Sequence, residues 1–252
     1  MSASNLILLI LLFFITSVVG VVTGSNSLIT VPVMFQFGID PKVAVATNMF
    51  GLTFMAIGAT LPFVKQKAID YGRVSPLILL TIAGSAIGAS LVNFISGETM
   101  PIIVSVSMIA VTIFTFLKRD AGVAKTEIIS SKARNITYVL TFLLGIYGGL
   151  YSGGYVTLLT ASYVAFFGMT FTESVASTKL INVFSSSIAS LIFMWQGLVD
   201  YKLGAILAVT MFVAAYIGAK TVTKLNDVWL KRIFLGTVLI LAIKTIFDFA
   251  VK

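Results

Sequence analysis

Neither cysteine nor histidine occurs in the 252 residues. Without thiols there are no disulfide staples and no thiol catalysis, and the usual zinc and copper sites lose their ligands. The commonest proton-relay side chain is missing too. Charge is scarce: Asp, Glu, Lys and Arg make up 10% of the chain, where a soluble domain carries about a quarter. No carboxylate falls in the middle of an apolar stretch, and Glu173 stands only at the start of one. An intramembrane enzyme needs a nucleophile with its base, or a metal cluster, at membrane depth, and this chain supplies neither. We therefore expect a non-enzyme with no catalytic residue, no cofactor and no bound metal.

What is present is apolar. Hydrophobic residues are 58% of the sequence and the mean hydropathy is +1.07, which places the chain in a lipid bilayer. The net charge of +8 sits mostly in short loops, where it reads as an orientation signal and not as a nucleic-acid patch. The first apolar run, residues 6–22, has the length of a signal peptide but no basic segment before it. The same run recurs internally at 136–150, so we expect a mature helix in a multi-pass protein of the cytoplasmic membrane.

The chain says nearly the same thing twice. Gln66-x-x-x-Asp70-Tyr71 returns as Gln196-x-x-x-Asp200-Tyr201, and Ile87-Gly88-Ala89 as Ile217-Gly218-Ala219, each about 130 residues on. Apolar stretches fall at 6–22, 28–37, 43–64, 74–95 and 102–117, then at 136–150, 156–167, 172–195, 203–222 and 229–247. A membrane helix needs about 20 residues; the stretches at 28–37 and 156–167 are too short. Before each lies a glycine/serine break, Thr23-Gly24-Ser25-Asn26-Ser27 in one half and Tyr151-Ser152-Gly153-Gly154 in the other. Irregular backbone survives at membrane depth only where protein or a watery cavity satisfies it. The expected fold is thus an all-α polytopic membrane protein of two homologous repeats, inverted in topology. Each repeat has a broken helix/half-helix hairpin plus three transmembrane helices, at residues 1–117 and 136–252, joined by a cytoplasmic linker at 118–135.

Inversion follows from counting lysines and arginines. If each half-helix returns the chain to the side it came from, one side collects 12 basic residues and the other 3, with Lys179 and Lys244 within spans. If helix and half-helix make one crossing, the split falls to about 10 against 5. The first arrangement gives the stronger positive-inside bias and puts both termini outside.

Helix-breaking motifs at matching places in two membrane repeats are the plan of a secondary transporter, with substrate bound where the breaks meet. Glycine lets the backbone turn, and freed amides at the start of the next half-helix suit an anion. Thr23, Gly24, Ser25, Asn26, Ser27, Tyr151, Ser152, Gly153 and Gly154 are therefore candidate substrate-binding residues; close helix packing is the bland alternative. Lys179 lies some seven residues inside its span, and a charge at that depth is normally functional or paired. Snorkelling, or pairing with Glu173, is its structural alternative. Asn182 shares its helix face, and Thr178-Lys179 corresponds to Thr47-Asn48 in the first half, which completes the candidate set. Asp70 and Asp200 read as helix caps with tyrosine anchors, and Gly84, Gly88 and Gly218 as packing positions. The coupling ion is open between proton and sodium, as is homo-oligomerisation.

The order of these features resembles the TauE/SafE sulfite exporter family, also called the toluene-sulfonate uptake permease family. The resemblance rests on Gly20-x-x-x-Gly24-Ser25, Val31-Pro32, Phe37-Gly38 with Pro41, Val43-Ala44-Val45-Ala46-Thr47, Gly58, Ile69-Asp70-Tyr71 and Gly84-x-x-x-Gly88-Ala89. It continues in Gly148-Gly149-x-x-Ser152-Gly153-Gly154, Phe167-Gly168, Val175-Ala176-Ser177-Thr178 and Val199-Asp200-Tyr201. It implies a carrier of sulfite, of a sulfonate such as sulfoacetate, or of another small anion, in the direction of export. A carrier or channel importing a carboxylate is the alternative. Ser25-Asn26-Ser27 departs from the family's usual glycine run, and Asn48 opposite Lys179 breaks the symmetry.

Overall fold

A computed structural model describes residues 3–24, 26–100 and 130–226, with scattered positions at 102, 103, 106, 228–230, 232, 233 and 236. The described residues form eight α-helices: α1 (Ala3–Thr23), α2 (Ser27–Gln36), α3 (Pro41–Lys65), α4 (Tyr71–Leu91), α5 (Ser131–Leu150), α6 (Tyr155–Phe166), α7 (Phe171–Trp195) and α8 (Tyr201–Val222). A single 3-10 turn, Val92–Phe94, extends α4. Five of the helices are long and apolar enough to cross a membrane, at Ser4–Thr23, Pro41–Lys65, Tyr71–Phe94, Phe171–Trp195 and Tyr201–Val222. The 20-residue α5 starts earlier than its apolar run, so Lys132 and Arg134 ride in its first turns. The expected stretches at 102–117 and 229–247, and most of the linker at 118–135, lie outside the described residues.

The repeated Gln-x-x-x-Asp-Tyr motif is an αα corner. At the end of α3 the Ala68 amide reaches back to the Phe63 carbonyl (3.1 Å) while Lys67 takes a left-handed φ of 53°. At the end of α7 the Leu198 amide reaches Phe193 (3.0 Å) over Gly197, φ +71°. This six-to-one bond closes a helix over a left-handed residue. Three residues on, Asp70 Oδ1 accepts from the Arg73 amide (3.2 Å) and Asp200 Oδ1 from the Leu203 amide (3.0 Å). Both aspartates are therefore caps, as their position before a long apolar run implies.

Small residues let the long helices close on one another. A Cβ on Gly84 would stand 2.5 Å from the Phe142 carbonyl oxygen, and one on Gly218 2.6 Å from that of Val18. One on Gly88 would overlap the Ile146 carbonyl. Along this seam Thr81 faces Gly145 and Gly88 faces Leu150, so α4 and α5 run parallel.

Side-chain contacts sort the helix ends. Lys42 Nζ donates to the Asn93 carbonyl (3.3 Å), Gln196 Nε2 to that of Ala89 (3.4 Å), and the Asp200 amide to Thr47 Oγ1 (3.0 Å). These gather the start of α3, the ends of α4 and α7, and the start of α8. At the opposite end Gln66 Nε2 donates to the Thr223 carbonyl (3.2 Å), and the Arg73 guanidinium lies 5.8 Å from the Phe167 ring, which Tyr138 of α5 also meets. So α3 and α7 run in opposite directions. Among the described residues, Lys42 and Lys202 occupy the first end; Lys65, Lys67, Arg73, Lys132, Arg134, Lys220 and Lys224 occupy the second.

Candidate functional site

The two breaks touch. Ser27 and Ser152, 125 residues apart, share a hydrogen bond of 2.8 Å between their hydroxyls. Tyr151 donates its hydroxyl to the Ser27 carbonyl (2.9 Å), and Thr157 Oγ1 donates to that of Thr23. Asn48 Nδ2 donates to Ser27 Oγ (2.9 Å) and Thr30 Oγ1 to Asn48 Oδ1 (2.9 Å), so Asn48 braces the first break from behind. Asn26 donates to Ser17 Oγ (2.8 Å) and accepts from Thr30 (3.1 Å). Ser25 lies outside the described residues. The first break is tighter than expected: α1 runs through Thr23 and α2 begins at Ser27, with Gly24 left-handed at φ +68°.

In the second break the left-handed residue is Gly154, φ +77°, and not Gly153. Gly153 is small for another reason. A Cβ there would run into the Tyr151 ring, while its carbonyl accepts from the Tyr147 hydroxyl.

Capping separates the half-helices from the rest. Asp40, Asp70, Ser130, Thr170 and Asp200 each cap the helix that follows with a side chain. Neither α2, preceded by Asn26, nor α6, preceded by Gly154, has a side-chain cap. The first amides of a helix need partners from outside it and carry its positive dipole end. Among the seven helices α2–α8, whose starts are described, the two N-termini that no side chain caps are the two that meet.

Between them is a cavity of about 20 Å³, room for about one water. Its walls include Gly20, Gly24, Asn26 and Ser27 from the first break and Ser152 and Val156 from the second. Leu52, Met55 and Ala56 close it from the middle of the 25-residue α3, and Lys179 and Asn182 from α7. At 1.5 Å per residue, the α3 wall stands about 16–23 Å from the start of the helix and about 13–20 Å from its end, near the middle of a membrane-length helix.

Lys179 is 2% exposed, and its Nζ donates to the Gly20 carbonyl (2.8 Å), which also accepts from the Gly24 amide. The amine thus sits at the negative end of α1. Glu173 instead closes a capping box with Thr170 at the start of α7. Asn182 is 5% exposed, lines the cavity, and its Oδ1 has no partner. The amide can present that oxygen or, turned about its last bond, its NH2.

Of the proposed residues, Thr23, Asn48, Tyr151, Gly153 and Gly154 shape or brace the breaks without lining the cavity, and two lie farther off. Thr47 accepts from the Asp200 amide at one end of the bundle, and Thr178 faces Thr160 of α6 (3.2 Å). Sequence reasoning missed the apolar wall and Ser17, Thr30 and Thr157, whose roles depend on how α1, α3 and α6 cross. Gly20 had a signal in its four-residue spacing from Gly24.

The chain matches the family described as sulfite exporter TauE/SafE over residues 9–245. A probable membrane transporter protein, ORF9, of a Sinorhizobium species is 25% identical over 93% of this chain and 90% of its own length. The probable membrane transporter protein YfcA of Escherichia coli is 24% identical over 96% of this chain and 91% of its own length. A probable membrane transporter protein of Haemophilus influenzae is 24% identical over 83% of this chain and 82% of its own length. No solved structure matches. A match running from within α1 to beyond α8, on a bundle of membrane-length helices with two broken ones at its centre, places this multi-pass membrane transporter in the sulfite exporter TauE/SafE family.

Proposed function

We propose that the protein is a secondary transporter that exports a small sulfur-containing anion, sulfite or an organosulfonate such as sulfoacetate, by alternating access. One observation carries the reading: two helix N-termini without a side-chain cap meet beside the middle of α3, with Lys179 and the unpartnered Asn182 Oδ1 next to them. An oxyanion supplies acceptor oxygens for open amides and a countercharge for an ammonium. The cavity, about 20 Å³, is smaller than such an anion, so loading requires the walls to part, as alternating access does. The family's description as sulfite exporter supports both the sulfur oxyanion and the direction.

The arrangement of the halves fits an inverted repeat. Helix lengths of 21, 10, 25 and 21 residues in the first half stand beside 20, 12, 25 and 22 in the second, and α3 and α7 run oppositely. With the basic-rich end in the cytoplasm, the N-terminus lies outside.

The test is a ligand panel on purified protein, scoring thermal stabilisation by sulfite, sulfoacetate, thiosulfate, sulfate and acetate. Sulfite or a sulfonate should stabilise most; stabilisation by acetate alone would make this a carboxylate carrier. Lys179→Met should then weaken the best ligand. A charge-assisted contact is worth about 1.5–3 kcal/mol, or about ten- to a hundredfold in affinity. Lys179→Arg should keep part of it. Unchanged affinity in Lys179→Met would remove the ammonium from the site.

A further inference from the structure

We infer that Lys179 makes this carrier a proton–anion symporter: the proton on its amine enters and leaves the central cavity together with the anion. The inference rests on the anion site proposed above.

The argument begins with what surrounds the amine. Lys179 is eight residues into α7, about 12 Å along the helix, and it is buried. Its hydrogen bond is to a neutral carbonyl, that of Gly20. Among the described residues α1 and α2 contain no ionisable side chain. Those of α3 and α4 are at the helix ends: Lys42, Lys65, Tyr71 and Arg73. The start of α5 has Lys132 and Arg134, and α5, the second break and α6 otherwise offer only the phenols of Tyr138, Tyr147, Tyr151, Tyr155 and Tyr163. On α7 itself the carboxylate is Glu173, in its capping box, and Asp200 caps the next helix. Among the described residues no full negative charge faces the amine from any element packed against it.

An unpaired charge at membrane depth is costly, and the carbonyl end of one helix offsets only part of that cost. A monovalent anion in the cavity is the missing counter-ion. Anion and proton therefore favour each other's binding, and the coupling is the same whichever binds first. The balance is simple. A neutral amine, one proton from solution and one anion give an ammonium–anion pair without net charge; opening to the other side releases both and restores the amine. No acidic side chain is needed, which fits a chain that has none in mid-span. Each cycle moves no net charge for a monovalent anion, so flux follows the sum of the proton and anion gradients and is indifferent to a membrane potential; export proceeds where the inside excess of anion outweighs the inward proton gradient.

The experiment is calorimetric titration of the purified full-length protein with methanesulfonate, which stays ionised throughout the range used. Buffers of different ionisation enthalpy, from about pH 6 to about pH 10, the upper limit lying near the ordinary lysine value, report the protons taken up per anion bound. We expect uptake approaching about one proton per anion on the alkaline side and falling towards zero in acid. Lys179→Arg should bind with no uptake at any pH, because a guanidinium does not give up its proton. Binding without uptake across the whole range would overturn the coupling and leave the anion site standing. So would uptake that persists in Lys179→Arg. Absence of binding by methanesulfonate and by every member of the panel would overturn the site itself. In proteoliposomes, acceleration of sulfonate flux by a sodium gradient and not by a proton gradient would likewise overturn the inference.

Discussion

Gly24→Ala tests the meeting of the two breaks most directly, with Gly38→Ala as its control. The two glycines flank α2, and both are left-handed, at φ +68° and +78°. Alanine in that conformation costs about 1–2 kcal/mol at either position. They differ in their surroundings. A Cβ on Gly24 would stand 2.6 Å from Val156 Cβ and 2.8 Å from the Thr157 amide nitrogen, whereas one on Gly38 meets nothing within 4 Å. The contact at Gly24 is with the first turn of α6, whose backbone cannot step aside without moving that helix. Overpacking of this kind adds about 1–3 kcal/mol. Gly24→Ala should therefore lose about 2–5 kcal/mol and Gly38→Ala about 1–2 kcal/mol. Denaturation of both purified variants in one detergent gives the difference, and sulfite flux in proteoliposomes should fall sharply only for Gly24→Ala. Equal losses in the two variants would mean that the breaks do not abut, and the site geometry would be wrong.

The Ser27–Ser152 bond of 2.8 Å invites a double-mutant cycle to alanine. We expect the two substitutions to be non-additive by about 0.5–1.5 kcal/mol in stability, and strict additivity would separate the two hydroxyls. Orientation can be read with single cysteines, since the native chain has none to interfere. A membrane-impermeant thiol reagent should label Glu98→Cys in whole cells and leave Asn226→Cys untouched; the reverse would turn the bundle over.

Sequence alone determined the solvent, the class and the order of the eight described helices. Ten per cent charge cannot clothe a soluble surface, and runs such as 43–64 and 172–195 have a membrane helix's length. Asp70 and Asp200 were legible as caps, and Gly24 as a break, because capping and left-handed backbone are local requirements of residue type. Long-range geometry was not legible. Thr47 and Thr178 pair in register with Asn48 and Lys179 but point away from the cavity, since adjacent helix positions face about 100° apart. Met55 and Ala56 carry no signal beyond being apolar, and they become walls only because α3 crosses both breaks at its middle. That Gly154 bends left-handed, and that Gly153 must be small because the Tyr151 ring fills the space beside it while its hydroxyl reaches Ser27, only the packing of the breaks shows. The fold also joined two local facts into one place. Two helix starts that lack a side-chain cap are unremarkable in the sequence, and tertiary packing alone brings them to the same cavity as the buried Lys179 amine.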